Sequence, residues 1–411
     1  MKQSKYNYIV NKKDTHIIFN AISGSVFCAD KDFKNRFEKG NLLEDEIGAL
    51  YKMGFLVDDD CNEFARIIEC NKINNQNQDN KFFTICPTTN CNARCFYCFE
   101  NNKKHCVMTK EIADKTIEFI VNDVINSNAK CITINWFGGE PLLGQSIIDH
   151  ITKGLKSNKE LMNKVDFSAN ITTNGILITE EVIKKFDDWH IHAVQITLDG
   201  YGKTYEERKA YCSEPNAFKK IIEILKSLLN KKINVSIRLN YDDQNIKSIL
   251  KLIDFLDVEL NAEQKQHVQT YPAKLEYVQS CSVCNTQADK NYLKILKKLH
   301  KANICKNFKQ LNLKYRFAHC LVNSEYNYII GASGDIYKCN EHVDEKDHKV
   351  GSVFEGIKRK NELNTEYGED CKNCKFFPIC QGGCPQHRGD SFAKCQIEKY
   401  VLEDILKLYI K

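Results

Sequence analysis

The stretch Cys91-Asn-Ala-Arg-Cys95-Phe-Tyr-Cys98 places three thiols within eight residues, spaced C-x3-C-x2-C. That spacing is too tight for three independent core cysteines, and no histidine stands among them to suggest a mixed zinc site. Three thiolates on one short loop can ligate three irons of a cubane iron–sulfur cluster, for which thiolates are the usual ligands. The fourth iron then has no protein ligand and is open to a chelating small molecule. The spacing therefore points to chemistry more than to electron storage. The alternative reading of the triplet alone is a zinc knuckle.

A chain of 411 residues has room for about two or three domains. A hydrophobic content of 42% suffices for ordinary cores, and the net charge of +5 is spread over 59 basic and 54 acidic residues. No basic run is interleaved with aromatics, so no nucleic-acid partner is expected. The opening Met1-Lys-Gln-Ser-Lys-Tyr lacks an apolar segment, and no apolar run approaches a membrane span. A cytoplasmic protein without a membrane partner is expected. Twenty cysteines in such a chain argue for metal sites rather than disulfides, and they concentrate at 86–106 and 371–395.

Upstream of the triplet, Tyr6-Asn-Tyr-Ile-Val and His16-Ile-Ile-Phe read as two short strands around the turn Lys12-Lys-Asp. Asn20-Ala-Ile-Ser-Gly-Ser-Val-Phe reads as a turn and a third strand, Phe33 to Phe37 and Leu42 to Met53 as helices, and Met53-Gly-Phe-Leu-Val-Asp-Asp-Asp as a last strand and acidic turn. Residues 1–70 are thus expected to form a small winged-helix-like module. The asparagine-rich stretch from Asn71 reads as a linker over 71–81.

From Lys81 onward strand-like runs alternate with helical patterns. The strands are expected at Phe82 to Pro87, Cys131 to Phe137, Asp166 to Thr172, Ala193 to Leu198, Asn234 to Leu239 and Leu275 to Val278. Helices are expected between them, at Thr109 to Val124, Ser146 to Leu155, Glu180 to Phe186, Phe218 to Leu229 and Asn245 to Leu256. This α/β alternation implies parallel strands with crossover helices. Six such units make a partial (β/α)6 barrel over 82–310, and active sites of barrels are built at the carboxyl ends of the strands. The triplet follows the first strand, where that rule puts it.

These residues resemble the core of the radical S-adenosylmethionine (radical SAM) enzymes. In that family the open iron binds the amino and carboxylate groups of S-adenosylmethionine, which is split to a 5′-deoxyadenosyl radical that abstracts hydrogen from the substrate. Tyr97 fills the family's aromatic position, implied to pack near the adenine. Gly138-Gly139-Glu140-Pro141, after the second strand, resembles the segment that holds the amino group of S-adenosylmethionine through backbone carbonyls and the glutamate. Thr173-Asn174-Gly175 resembles a family turn and is given no catalytic role. Thr197-Leu-Asp199-Gly200 resembles the segment whose hydroxyl residue, here Thr197, lies beside the ribose or carboxylate. The family then has a histidine and an arginine that faces the carboxylate. Here Tyr205 stands for the histidine, and of Arg208 and Lys209 the guanidinium of Arg208 is expected to make the contact, as a bidentate fork. Arg238 is read either as a cofactor-side residue or as a structural one.

Residues 311–411 carry a second pattern: Cys320, Cys339 after the hairpin turn Gly334-Asp335, then Cys371-x2-Cys374-x5-Cys380-x3-Cys384 and Cys395. Seven cysteines are the wrong count for one tetrahedral zinc, and no histidine is read as having ligand spacing. The order resembles the SPASM extension of radical SAM enzymes, which holds two auxiliary 4Fe–4S clusters. The resemblance implies Cys371, Cys374, Cys380 and Cys395 on an outer cluster, and Cys320, Cys339 and Cys384 on an inner one. The inner cluster is left with an open iron or a fourth ligand from Cys281 or Cys284.

The function expected is that of a radical SAM/SPASM peptide maturase, an oxidoreductase acting on a ribosomally made precursor peptide. The N-terminal module would grip the leader sequence by strand addition or serve only as a cap. The expected product is a cross-link such as a thioether, and an electron donor such as flavodoxin or ferredoxin is implied. A second reading is an anaerobic sulfatase maturase forming formylglycine. There an aspartate after the strand-end cysteine serves as base; here that position is Asn340, whose amide cannot take the proton. A non-catalytic iron–sulfur or zinc protein is the alternative outside enzymes.

Overall fold

The computed structural model describes residues 1–100, 104–275, 286–305, 311, 313–315, 320–359, 367–385 and 395–410. The expected strand end at 276–278 and the Cys281–Cys284 pair lie outside these residues.

The N-terminal unit opens with β1 (Lys2–Gln3), β2 (Asn7–Lys12), β3 (Thr15–Asn20) and β4 (Val26–Ala29). Then come α1 (Lys31–Lys39), α2 (Glu44–Lys52), β5 (Leu56–Val57) and α3 (Glu63–Asn75). β2, β3 and β4 make an antiparallel sheet in that order. β5 does not join it: it pairs with β1, Lys2 opposite Val57. One face of the three-stranded sheet covers a small core of Ile18, Phe37, Leu50 and Phe55. Its other face, through Tyr6, Val10, Ile17 and Phe19, joins the main core. The stretch read as a linker is instead the end of α3 followed by the start of the next strand at Asn80. Asn71, Asn74 and Asn75 lie on a helix that the Asn62 side chain caps by accepting from the Ala65 N–H.

Six parallel strands follow: β6 (Asn80–Ile85), β7 (Cys131–Trp136), β8 (Asp166–Thr173), β9 (Ile191–Leu198), β10 (Asn234–Tyr241) and β11 (Val268–Lys274). They are joined by α4 (Lys110–Ile125), α5 (Gln145–Ser157) with α6 (Lys159–Lys164), α7 (Glu180–Asp188), α8 (Lys203–Lys209) with α9 (Ala217–Asn230), and α10 (Ile246–Glu259). α11 (Thr286–Lys301) follows β11. Each strand pairs with the next in sequence, and the sheet does not close on itself: β6 pairs with a C-terminal strand, not with β11. This is the partial (β/α)6 barrel expected. The sixth strand lies earlier than expected, and Pro272 sits inside it. β11 ends the sheet, and a terminal strand tolerates the missing N–H.

The barrel strands alternate. Ile132, Ile134 and Trp136 of β7 are buried while Thr133 and Asn135 are half-buried, and β8 to β10 repeat the pattern. A parallel sheet covered on both faces by apolar layers would read as continuous apolar runs. Here only one face packs into the apolar core; the other is polar. Register lines up Thr133 with Ser168, whose hydroxyls are 3.0 Å apart, and Thr197 with Arg238 and Tyr271.

The C-terminal unit extends the same sheet. β12 (Tyr328–Ile330) pairs parallel with β6, and β13 (Asp335–Tyr337), β14 (Gly351–Ser352) and β15 (Gly356–Ile357) continue it antiparallel. Gly334, at φ +84°, makes the expected turn between β12 and β13. α12 (Glu369–Lys372), α13 (Phe377–Cys380) and α14 (Glu398–Tyr409) complete the chain. The N-terminal unit docks here: Phe64 packs on Phe377 with centroids 4.8 Å apart, and Lys375 Nζ donates to Asn7 O at 3.2 Å.

Phe55 meets Phe27 and Phe37 edge-on in the small core and is fully buried. Phe55→Ala should cost about 3–5 kcal/mol in that unit. Urea unfolding should shift accordingly, with faster hydrogen exchange over 26–57 than in the barrel strands.

Candidate functional site

The loop after β6 is shaped by threonines. Thr88 and Thr89 hydroxyls donate to Cys106 O at 2.8 Å and Lys104 O at 2.7 Å, closing the loop that carries Cys91, Cys95 and Cys98. Cys98 N donates to Cys95 O at 3.0 Å, and Ala93 N to Cys91 Sγ at 3.4 Å. Burial pushes the Cys91 thiol up to about 11, and Glu140, Cys95 and Cys98 add to the rise. Cys98 is raised for the same first reason. The donors are three sulfurs close enough to feel one another, and metal binding would have to displace their protons. Such an all-sulfur set suits an iron–sulfur cluster.

Gly138 and Gly139 lie against the backbone just upstream of Cys91. A Cβ on Gly138, whose φ is +119°, would stand 2.3 Å from Thr88 O, and one on Gly139 would stand 2.4 Å from Asn90 O. Glu140 is fully buried and donates its N–H to Asn90 O at 2.8 Å. Its Oε1 accepts from Thr173 Oγ1 at 2.7 Å and Leu142 N at 3.0 Å, and its Oε2 accepts from Asn174 N at 2.8 Å. Burial raises its carboxyl, and these hydrogen bonds oppose the rise. Gly138, Gly139 and Glu140 therefore lock the ends of β6, β7 and β8 together. Asn174 extends the lock: its Nδ2 donates to Asn92 Oδ1 at 2.7 Å and lies 3.9 Å from Cys91 Sγ. Sequence reading passed over Asn174 because a turn asparagine shows nothing of which loop it meets.

Tyr97 is joined to the end of β9. Its hydroxyl donates to Asp199 Oδ2, Lys209 Nζ lies 3.3 Å from the same oxygen, and Lys209 donates to Tyr97 Oη at 3.1 Å. Burial alone would lower Lys209, but Asp199 with Tyr97 and Cys95 outweighs it and holds the ammonium well above its ordinary range. Arg94 N donates to Lys209 O at 2.9 Å, so α8 is also tied to the cysteine loop by backbone. Tyr205, in place of a histidine, is buried with its hydroxyl 2.9 Å from that of Tyr211. Arg208 is held within the chain, against the thiol loop. Its Nη2 donates to Asp242 Oδ2 at 2.6 Å, and its guanidinium covers the Phe96 ring at 4.9 Å. Thr197 lies beside Arg238 in register, and Arg238 Nε donates to Asn240 Oδ1 at 2.9 Å.

The C-terminal thiols fall into two neighbourhoods. Burial raises Cys339 to about 11, and Cys320 and Cys384 contribute. Burial likewise raises Cys380 to about 11, with contributions from Cys374, Cys395 and Cys371. Lys399 Nζ lies 3.3 Å from Cys395 Sγ. Tyr6 and Tyr8 of the N-terminal unit face Cys374, and their hydroxyls are raised by burial first.

The radical SAM superfamily matches residues 85–256. The radical SAM cyclopropyl synthase TigE of Paramaledivibacter caminithermalis is 28% identical over 223 residues, which are 45% of this chain and 46% of TigE. A cysteine-type anaerobic sulfatase-maturating enzyme of Clostridium novyi is 23% identical over 346 residues, 74% of this chain and 87% of that protein. Among solved structures, Streptococcus suis SuiB bound to its precursor peptide SuiA shares the fold. The TM-score is 0.53 at 16% identity, over 96% of this chain and 100% of SuiB. Residues 85–256 thus form a radical SAM domain, which implies a 4Fe–4S cluster and S-adenosylmethionine as its cofactors.

Proposed function

We propose that this enzyme modifies a precursor peptide, forming a cross-link such as a thioether. The observation that carries the reading is the docking of the N-terminal sheet on the C-terminal thiol groups, beside the radical SAM barrel. Among the described residues β4 is the outer strand of this sheet, and the leader would be received there. Peptide relatives support the reading: SuiB is solved with its precursor peptide. In this division of labour residues 1–70 receive the leader, 82–310 are the catalytic core and 311–411 hold the auxiliary clusters.

Cys91, Cys95 and Cys98 hold the catalytic cluster. Cys371, Cys374, Cys380 and Cys395 hold an outer cluster, and Cys320, Cys339 and Cys384 an inner one. When bound, the cluster and S-adenosylmethionine supply a hydrogen-abstracting radical; the protein supplies orientation and a closed polar site. Tyr97 and Thr197 line the cofactor. Gly138, Gly139 and Glu140 act by fixing the loop that presents the thiols. Arg208, held by Asp242 through Nη2 and lying over Phe96, meets the cofactor carboxylate with the rest of its guanidinium. Asp199 Oδ1 and Arg208 Nε are buried without a hydrogen-bond partner among the described residues, an acceptor and a donor that a polar ligand or water would satisfy. An electron donor such as flavodoxin or ferredoxin completes the system.

The sulfatase-maturase reading draws on the Clostridium novyi relative, which the chain covers more fully than it covers TigE. Against it stands Asn340, an amide at the position where that reading needs a base.

Anaerobic protein loaded with iron and sulfide, reduced and given S-adenosylmethionine, should produce 5′-deoxyadenosine. The variant Cys91→Ala/Cys95→Ala/Cys98→Ala should produce none above background. With the cognate peptide, a thioether product keeps its sulfur and loses reactivity toward iodoacetamide. A product that has lost sulfur would instead favour formylglycine, and a cluster-loaded enzyme that makes no 5′-deoxyadenosine even with candidate peptides would defeat the catalytic reading.

Gly139→Ala adds a methyl where Asn90 O and Thr89 O already stand 2.4 and 2.5 Å away. A shift of about 1 Å in the thiol loop should lower 5′-deoxyadenosine formation about 100-fold. Single-turnover assays at equal iron content would show it.

A further inference from the structure

Three linked turns follow β13. His342 donates its backbone N–H to Cys339 O at 3.1 Å, Glu345 to His342 O at 3.0 Å, and His348 to Glu345 O at 3.1 Å. The segments Asn340–His342 and Lys346–His348 are 3₁₀ turns. Between the two turns the chain reverses at Val343 and Asp344, the latter at φ +68°, and this brings His342, Glu345 and His348 into one column, with their ligand atoms all within 4.8 Å of one another. The two imidazoles stack with centroids 3.7 Å apart, and His348 Nε2 is 3.7 Å from a Glu345 carboxylate oxygen. This corrects the expectation that no histidine has ligand spacing: His342-x5-His348 lies within the ordinary zinc spacing and was overlooked beside the cysteines.

The column stands on a fixed base. Val343 is fully buried with Cys86, Ile329 and Tyr337. Arg359 Nε donates to Lys349 O at 2.7 Å, and its Nη2 donates to Asp347 O. Lys349 Nζ lies 2.5 Å from Asp335 Oδ1. The stretch Glu341 to His348 sets the carboxylates of Glu341, Asp344, Glu345 and Asp347 against the lone ammonium of Lys346. Lys349 and Arg359 are held on a carboxylate and on backbone carbonyls.

We propose that His342, Glu345 and His348 form a surface site for a divalent first-row metal ion of the zinc class. Two imidazoles and a carboxylate are an established zinc donor set, with water completing the coordination. The site uses no thiol and stands apart from the peptide-maturase reading. An ion there would brace the connection between Cys339 and β14.

The test uses the cluster-loaded chain, so that the proposed cluster thiols are occupied. One equivalent of zinc chloride is added, unbound ion is removed by gel filtration, and zinc and iron are measured by elemental mass spectrometry. The wild type should keep about one zinc per chain, and His342→Ala/His348→Ala should lose it at unchanged iron. Equal zinc in both proteins overturns the proposal. Zinc-edge X-ray absorption of the wild type needs no variant to fold. Nitrogen and oxygen neighbours at about 2.0–2.1 Å with imidazole scattering are expected. Zinc held only by sulfur at about 2.3 Å, or no zinc retained, overturns it.

Discussion

The site depends on how closely two strand ends approach. The backbone at Thr88, Thr89 and Asn90 leaves no room for a side chain at either Gly138 or Gly139. Glycine is required there by contact with backbone, which cannot rotate aside as a flexible side chain can. Once the two loops meet, Glu140 reaches Asn90 with its N–H and Thr173 and Asn174 with its carboxylate. One residue thus fixes three successive strand ends. Asn174 carries that order to Asn92 and Cys91, so the thiol loop is positioned by the barrel and not by its own short sequence.

Charge is handled in the same manner. Lys209 and Asp199 are buried as a pair, as are Arg208 and Asp242. Such pairs add little net stability over apolar residues, but losing one partner costs about 3–5 kcal/mol. Their value here is positional. Lys209 and Asp199 hold Tyr97 from both sides of its hydroxyl, and Arg208 holds the Phe96 ring. The aromatic pair between Cys95 and Cys98 is therefore anchored to α8 and to the ends of β9 and β10.

The barrel was legible in the sequence where strands alternate with long amphipathic helices. Five of its six strands fall where their apolar runs predict, because burial of one face imposes the period. The sixth lies earlier than its expected run, at Val268–Lys274, where Pro272 is tolerated because β11 is the outermost strand among the described residues. The linker reading failed because asparagine-rich composition describes solvent exposure as well as disorder, and α3 is a helix with an exposed polar face. The thiol loop was legible because ligands of one metal cluster can be neighbours in the chain. The partner of Arg208 was not. Adjacent residues on a helix point in different directions, and Arg208 and Lys209 could be distinguished only once α8 was set against β9 and β10.

The three parts of the chain share their packing. β12 pairs with β6, the strand that leads into the thiol loop, and so the C-terminal unit takes its position from the barrel through a parallel ladder. The N-terminal sheet reaches the same unit through Tyr6 and Tyr8 beside Cys374, Phe64 on Phe377, and Lys375 on Asn7. The surroundings of these cysteines are thus built in part from the first ten residues. β4, β3 and β2 form one ladder whose far side shares the main core with Cys374, with no flexible tether between them. Linker-connected modules exert their influence mainly through effective concentration. Here the connection is a hydrogen-bonded sheet backed by a shared core.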